Sequence, residues 1–250
     1  MLLRWLWSVC LLLSLAGASS AAETVDGFTY VSQAPLPYDS QLMCPSRIVL
    51  ATYERDALLP KLLAHLRQGK IPQLREIVLV WQNVGRELPD FLQDDELNPR
   101  TPKGRPRHRV PVTVRQSKRN SMNERFRPVT DWDTPIKTEA VMILDDDVVL
   151  TWDALSWGYE RFLEANPRGS DPWQGRITGF SGREFQAASD GKLKYLWAPK
   201  KSYSMVLSNA AWFRREWLEF YWSSESQEMR GLRDYVDEGA PSRSLFLRLR

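Results

Sequence analysis

A chain of 250 residues with 43% hydrophobic and 26% charged residues is long enough to bury one large core, and its composition is that of an ordinary globular protein. A formal net charge of +3 gives no support to a nucleic-acid binder, and two cysteines cannot build a disulfide-dense scaffold.

Residues 1–22 read as a signal peptide or signal anchor. Arg4 precedes an apolar run from Trp5 to Ala16, and small residues follow around Ala18 to Ala22. The run is short for a full membrane span, so cleavage after Ala22 and retention as a single-pass anchor through residues 5–22 both stay open. Either outcome sends the chain into the secretory pathway. If Cys10 leaves with the signal, Cys44 is the sole remaining thiol. Residues 23–46 contain Pro and Ser without periodicity and read as a stem, so ordered structure is expected from Ile48.

Ile48 to Tyr53 is a short β-type run. Leu58, Leu62, Leu63 and Leu66 then recur at helical spacing, with Asp56 near the N-cap and Gly69 closing the segment. Ile77 to Trp81 is the next strand, and the three pieces make a βαβ unit, the start of a parallel sheet. A polar insertion over Arg86 to Arg109 leads to a strand at Val110 to Val114. Ten basic residues crowd between Lys103 and Arg127, a stretch able to receive phosphates or to be a solvated loop. Neither a recognition helix nor an aromatic RNA motif accompanies it, so nucleic acid is not expected as a partner.

Val141 to Leu144 is a buried strand that runs into Asp145-Asp146-Asp147. Side chains alternate along an extended segment, so Asp145 and Asp147 should share one side, about 6–7 Å apart, with Asp146 on the other. Two converging carboxylates suit a hard divalent ion, Mn²⁺ or Mg²⁺, whose other ligands come from a diphosphate. The competing reading is a solvated loop leading to the following helix. Thr151 caps that helix, Leu155, Tyr159, Phe162 and Leu163 share its inner face, and Asn166-Pro167 ends it. Strands are expected at Arg176 to Phe180 and Tyr203 to Leu207, then an aromatic helix from about Ala210 to Trp222. Trp212, Trp217 and Trp222 fit core positions, whereas Trp173 and Trp197 lie in loop-like context and are the better candidates to face a sugar.

Five segments fall in order at or just after these strands: Thr52-Tyr53-Glu54-Arg55, Val80 to Gly85, Asn120 to Phe126, Thr138 into the Asp triplet, and Tyr203 to Leu207. Together they resemble the C-terminal glycosyltransferase domain of the exostosin family, glycosyltransferase family 64, over about Arg47 to Trp222. The resemblance implies an α/β GT-A (Rossmann-like) nucleotide-sugar-binding fold with a mostly parallel sheet flanked by helices. It implies transfer of an N-acetylhexosamine from a UDP-sugar to a glycan or glycolipid acceptor, with retention and with Mn²⁺ (or Mg²⁺), in the endoplasmic reticulum or Golgi lumen. By position, Arg55, Asn83, Asn120 and Arg125 would hold the nucleotide. Asp145 and Asp146 would contact ribose and sugar, Asp147 would be the principal metal ligand with Asp145 beside it, and Arg183 would lie near the acceptor. After Tyr235 to Glu238 the family continues to an Asn-Cys-Asp-Asp type motif, whereas this chain reads Gly239-Ala240-Pro241-Ser242 and onward. Residues 223–250 are therefore expected to be a truncated, divergent tail, lacking the catalytic acidic pair and with it a partner for the Cys44 disulfide. A catalytically silent UDP-sugar binder that regulates a partner glycosyltransferase is the alternative expectation.

Overall fold

Apolar runs with little alternation are the mark of strands buried on both faces, and they form the centre of this protein. A computed structural model describes residues 21–25, 28–32, 46–68, 71, 73–93, 109–127, 138–189, 191–196, 203–222 and 227–238. The central sheet contains β3 (Ser46–Thr52), β4 (Leu74–Trp81), β5 (Val112–Gln116), β6 (Ala140–Asp145), β8 (Thr178–Gly179) and β12 (Ala210–Arg214). Their order is β5-β4-β3-β6-β12-β8, with the first four strands parallel and the last two pairings antiparallel.

Alternation along each strand builds two cores. Ile48, Leu50, Met142 and Leu144 point to the layer filled by α1 (Leu59–Leu66) and α3 (Trp152–Ala165). Val49, Ala51, Val141, Ile143 and Phe213 point to the other layer, filled by Phe126 and by α4 (Arg215–Trp222). The expected α/β fold with a mostly parallel, helix-flanked sheet is what forms.

The chain leaves β3, adds β4 and β5 on one side, and returns to place β6 on the other side of β3. This reversal opens a crevice beyond the carboxyl ends of β3 and β6, where open α/β sheets collect their ligands. Register aligns Ala51 with Asp145 and Thr52 with Trp81, so the three strands end together at that crevice.

Several expectations need correction. Ordered backbone begins before Ile48: β1 (Ala21–Val25) and β2 (Phe28–Ser32) form a hairpin, and β2 pairs in parallel with β7 (Val148–Leu150). These strands are too short to carry a periodic signal, and their pairing with β7 is far away in sequence. The helix expected from Ala210 divides, because Ala210–Arg214 pairs with β6 as a strand and the helix starts only at Arg215. Asp56 does not cap α1, whose N-cap is Leu58. Within the expected tail, α5 (Gln227–Glu238) packs on α4. The insertion carries a short helix, α2 (Asp90–Gln93). A second small sheet joins β9 (Gly182–Ala187) to β10 (Leu193–Leu196) and β11 (Met205–Val206). Cys10, Cys44, Gly69, Trp197, residues 1–20 and residues 239–250 lie outside the described residues, and with them the expected signal apart from Ala21 and Ala22 of β1, the disulfide and the end of the chain. Among the described residues no helix is long and apolar enough to cross a membrane.

Candidate active site

The acidic triplet lies at the crevice. Asp145 is the last residue of β6, and its N–H donates to Asn209 O at 2.8 Å, which ties it to the start of β12. The backbone then turns at Asp146 and Asp147 before entering β7. Strand alternation therefore stops at Asp145, and the expected pairing of Asp145 with Asp147 on one side does not hold. Asp146 and Asp147 instead share one partner: Nη1 of Arg55 lies 2.8 Å from Asp146 Oδ1 and 2.8 Å from Asp147 Oδ2. Asp145 is held from the other side by Arg125.

Two arginines thus meet three carboxylates, leaving one negative charge over within this group. Asp146 is 3% exposed, and its second oxygen, Oδ2, is buried without a hydrogen-bond partner. Burial pushes the Asp147 carboxyl above the usual range; Arg55 opposes this, and the charges of Asp145 and Asp146 add to it. Burial alone would lower the Arg55 guanidinium, but the Asp146 hydrogen bond and the three carboxylate charges raise it.

Arg55 is placed by a specific piece of backbone. Glu54, just before it, has φ +57°, the left-handed region that a residue with a side chain enters at a cost. Asn83, 3% exposed, clasps this turn: its Oδ1 accepts the Glu54 N–H at 2.8 Å, and its Nδ2 donates to Asp56 Oδ1 at 3.2 Å. Asp56 also takes Arg86 Nη2 at 2.6 Å. Both ends of the Asn83 amide are thus engaged. Asn120 is exposed beside Tyr53, whose hydroxyl interacts with Glu54 and Asn120. Arg183 lies on β9, outside the central sheet, with Nη1 donating to Gly182 O at 2.8 Å.

Arg125 comes from a 3-10 turn, Met122–Phe126, capped by Ser121, whose hydroxyl accepts the Asn123 N–H at 3.0 Å. Within the basic stretch, Arg115, Arg119 and Arg127 converge on the fully buried Glu124, whereas Lys103, Arg105, Arg107 and His108 lie outside the described residues. Neither Asn123 nor Glu124 stood out in the sequence, where a buried carboxylate among arginines has no periodic signature. Trp173 is exposed, as its loop context predicted, and packs edge-on against Phe220 at 5.0 Å between ring centroids.

Among the described residues no group of three or more acidic, histidine or cysteine side chains is arranged to enclose a metal ion. The donor set nevertheless fits a hard divalent cation that keeps outside ligands: carboxylate oxygens only, one of Asp146 buried and unpartnered and those of Asp147 partly exposed. Asp146 and Asp147 could hold such a cation, with Asp145 adjacent.

Comparison with known proteins shows the family of the chain. The family model described as "Glycosyl transferase family 64 domain" matches residues 46–241, which takes in the whole central sheet and α5. An exostosin-like-3 homolog of Caenorhabditis elegans is 32% identical over 73% of this chain and 19% of its own length. Human exostosin-like 2 is 29% identical over 70% of this chain and 48% of its own. Glucosamine inositolphosphorylceramide transferase 1 of Arabidopsis thaliana is 30% identical over 82% of this chain and 23% of its own. The chain thus spans about half the length, or less, of these curated relatives. A mannosyltransferase from Pyrobaculum calidifontis, solved with GDP-Man and Mn²⁺, covers 76% of this chain and 49% of its own at 16% identity, with a TM-score of 0.41, a likeness that carries no argument about ligands. Since the family match encloses the acidic turn, both of its arginines and the sheet that positions them, the chain belongs to glycosyltransferase family 64 and is a glycosyltransferase domain by descent.

Proposed function

We propose that the crevice binds the diphosphate of a UDP-sugar through a divalent cation, Mn²⁺ or Mg²⁺, and that the chain transfers an N-acetylhexosamine to a glycan or glycolipid acceptor with retention of configuration. The observation that carries this reading is the acidic turn at the switch point of the sheet, gripped by Arg55 on one side and Arg125 on the other. Asp146 and Asp147 would hold the cation, and Asp145 with Arg125 would face ribose and sugar. The cation, when bound, supplies Lewis-acid stabilisation of the departing diphosphate. Arg55 now offsets part of the charge of Asp146 and Asp147, and its half-exposed guanidinium would be able to turn toward phosphate oxygens once another positive charge takes its place. Asn120 and Tyr53 at the end of β3 would lie along the nucleotide, Asn83 would keep Arg55 in reach, and Arg183 with Trp173 would be sought on the acceptor side. The setting we propose is the lumen of the secretory pathway, with residues 5–22 as the means of entry or attachment and a second glycosyltransferase as a partner.

Calorimetric titration of UDP into the full chain, with and without Mn²⁺, tests the reading. Binding that requires Mn²⁺ and is lost in Asp147→Asn supports it. The same substitution should raise the melting temperature of the nucleotide-free protein, because the ionised Asp147 carboxylate is the form disfavoured by burial and by its neighbours. Metal-independent UDP binding that survives in Asp147→Asn would overturn the proposed cation site. Binding without any transfer to acceptors would mark a donor-binding regulator.

A further inference from the structure

Three consecutive residues of the Met122–Phe126 turn reach into three different parts of the molecule. Arg125 holds Asp145. Glu124, with no side-chain exposure, is held by Arg115 of β5, by Arg119 at 3.0 Å and by Arg127 at 3.7 Å. Asn123, also fully buried, faces the helical layer: its Nδ2 donates to Arg233 O of α5 at 3.0 Å, and its Oδ1 accepts the Tyr221 hydroxyl of α4. Phe126 completes the seat, edge-on to Phe213 and Tyr221 with ring centroids 5.8 Å away in each case. A five-residue 3-10 turn has few hydrogen bonds of its own and poor geometry in those it has, so these anchors set its position.

We propose that Asn123 is a positioning residue that couples the seating of α4 and α5 to the acidic turn. Its amide spends a donor on one helix and an acceptor on the other. If α5 lifts away, that buried donor loses its Arg233 acceptor, which is costly, so the turn and the helices move together. Arg233 strengthens the link: its guanidinium donates to Tyr221 O and lies 5.0 Å from the centroid of the Trp222 ring. At the other end of the turn the Arg125 side chain is 11% exposed and its Nε is buried without a partner, so its grip on Asp145 depends on where the turn lies. The consequence for donor binding rests on the function proposed above, whereas the mechanical link does not.

The test compares two substitutions that each delete one hydroxyl. Tyr221→Phe removes the donor to Asn123 Oδ1 and keeps the ring against Phe126. Thr113→Val removes a hydroxyl hydrogen bond to Glu76 in the central sheet and serves as the matched control. Amide hydrogen exchange is followed in the full chain, without nucleotide, in peptides covering 138–147. Tyr221→Phe should speed exchange there about fivefold, the equivalent of one net hydrogen bond, while Thr113→Val leaves those peptides at the wild-type rate. In the Mn²⁺-dependent UDP titration Tyr221→Phe should weaken binding by a similar factor and Thr113→Val should not. If the 138–147 peptides exchange at wild-type rates in Tyr221→Phe, or speed up equally in Thr113→Val, the positioning role is overturned. If exchange responds as expected while the wild type binds no UDP, the donor-site reading fails and the coupling stands. Should Tyr221→Phe not fold, Arg233→Met, which removes the guanidinium from Tyr221 O, carries the same expectations.

Discussion

Glu54 shows how single residues hold the site open. It is the one non-glycine residue with positive φ among those described, and it stands between Tyr53 and Arg55 where β3 gives way to the crevice. The left-handed conformation costs a residue with a Cβ about 1 kcal/mol, and the Asn83 clasp on its N–H keeps it there. Glu54→Gly should therefore raise stability by about 0.5–1 kcal/mol, seen as a higher denaturant midpoint, whereas Glu54→Val should lower it. A Gly variant less stable than wild type would show that the backbone there is not strained. At this scale the sequence told which residues gather but not how they face. Arg55, Arg125 and the three aspartates converge as their places after strands led one to expect. The clasp of Asn83 on the Glu54 N–H and Asp56 was not legible, because the direction of a loop side chain follows from the turn before it, and nothing in Tyr53-Glu54-Arg55 announces a left-handed residue.

Elements whose ends are set by local chemistry were the most legible. Thr151 caps α3, its hydroxyl accepting the Ala154 N–H at 3.2 Å, and Asn166 ends the helix, both where the residue types pointed. The Ala210–Arg214 segment was not legible, since a five-residue apolar run has no distinctive period and only the pairing with β6 makes it a strand. Packing of α3 on the sheet gives a prediction of its own. Gly158 faces Phe180 and Trp212 so closely that an added Cβ would lie 2.6 Å from Phe180 Cζ and 3.2 Å from Trp212 Nε1. Gly158→Ala would gain about 1 kcal/mol of helix propensity yet should destabilise the protein by about 1–2 kcal/mol net, because the partly buried Phe180 and the buried Trp212 must both shift. Thermal unfolding that shows Gly158→Ala to be stabilising would mean that this contact yields easily.

Across the whole molecule, the strand order β5-β4-β3-β6 explains why residues 55, 125 and 145–147 meet at all. The βαβ unit was readable from apolar periodicity, and the switch point follows once β6 returns beside β3. The β1–β2 hairpin and the docking of α5 were not readable, since both depend on partners distant in sequence, β7 for one and the Met122–Phe126 turn for the other. Joining these scales is the claim that Asp146 and Asp147 would hold a divalent cation while Arg55 would turn toward a diphosphate. Electron paramagnetic resonance of Mn²⁺ titrated with the full chain, with and without UDP, tests that claim most directly. With protein and UDP together the free Mn²⁺ signal should fall below that of the protein-free Mn²⁺–UDP mixture, and Asp147→Asn should return it to that level. A signal at the level of the protein-free Mn²⁺–UDP mixture, with folded wild-type protein present, would contradict the cation site.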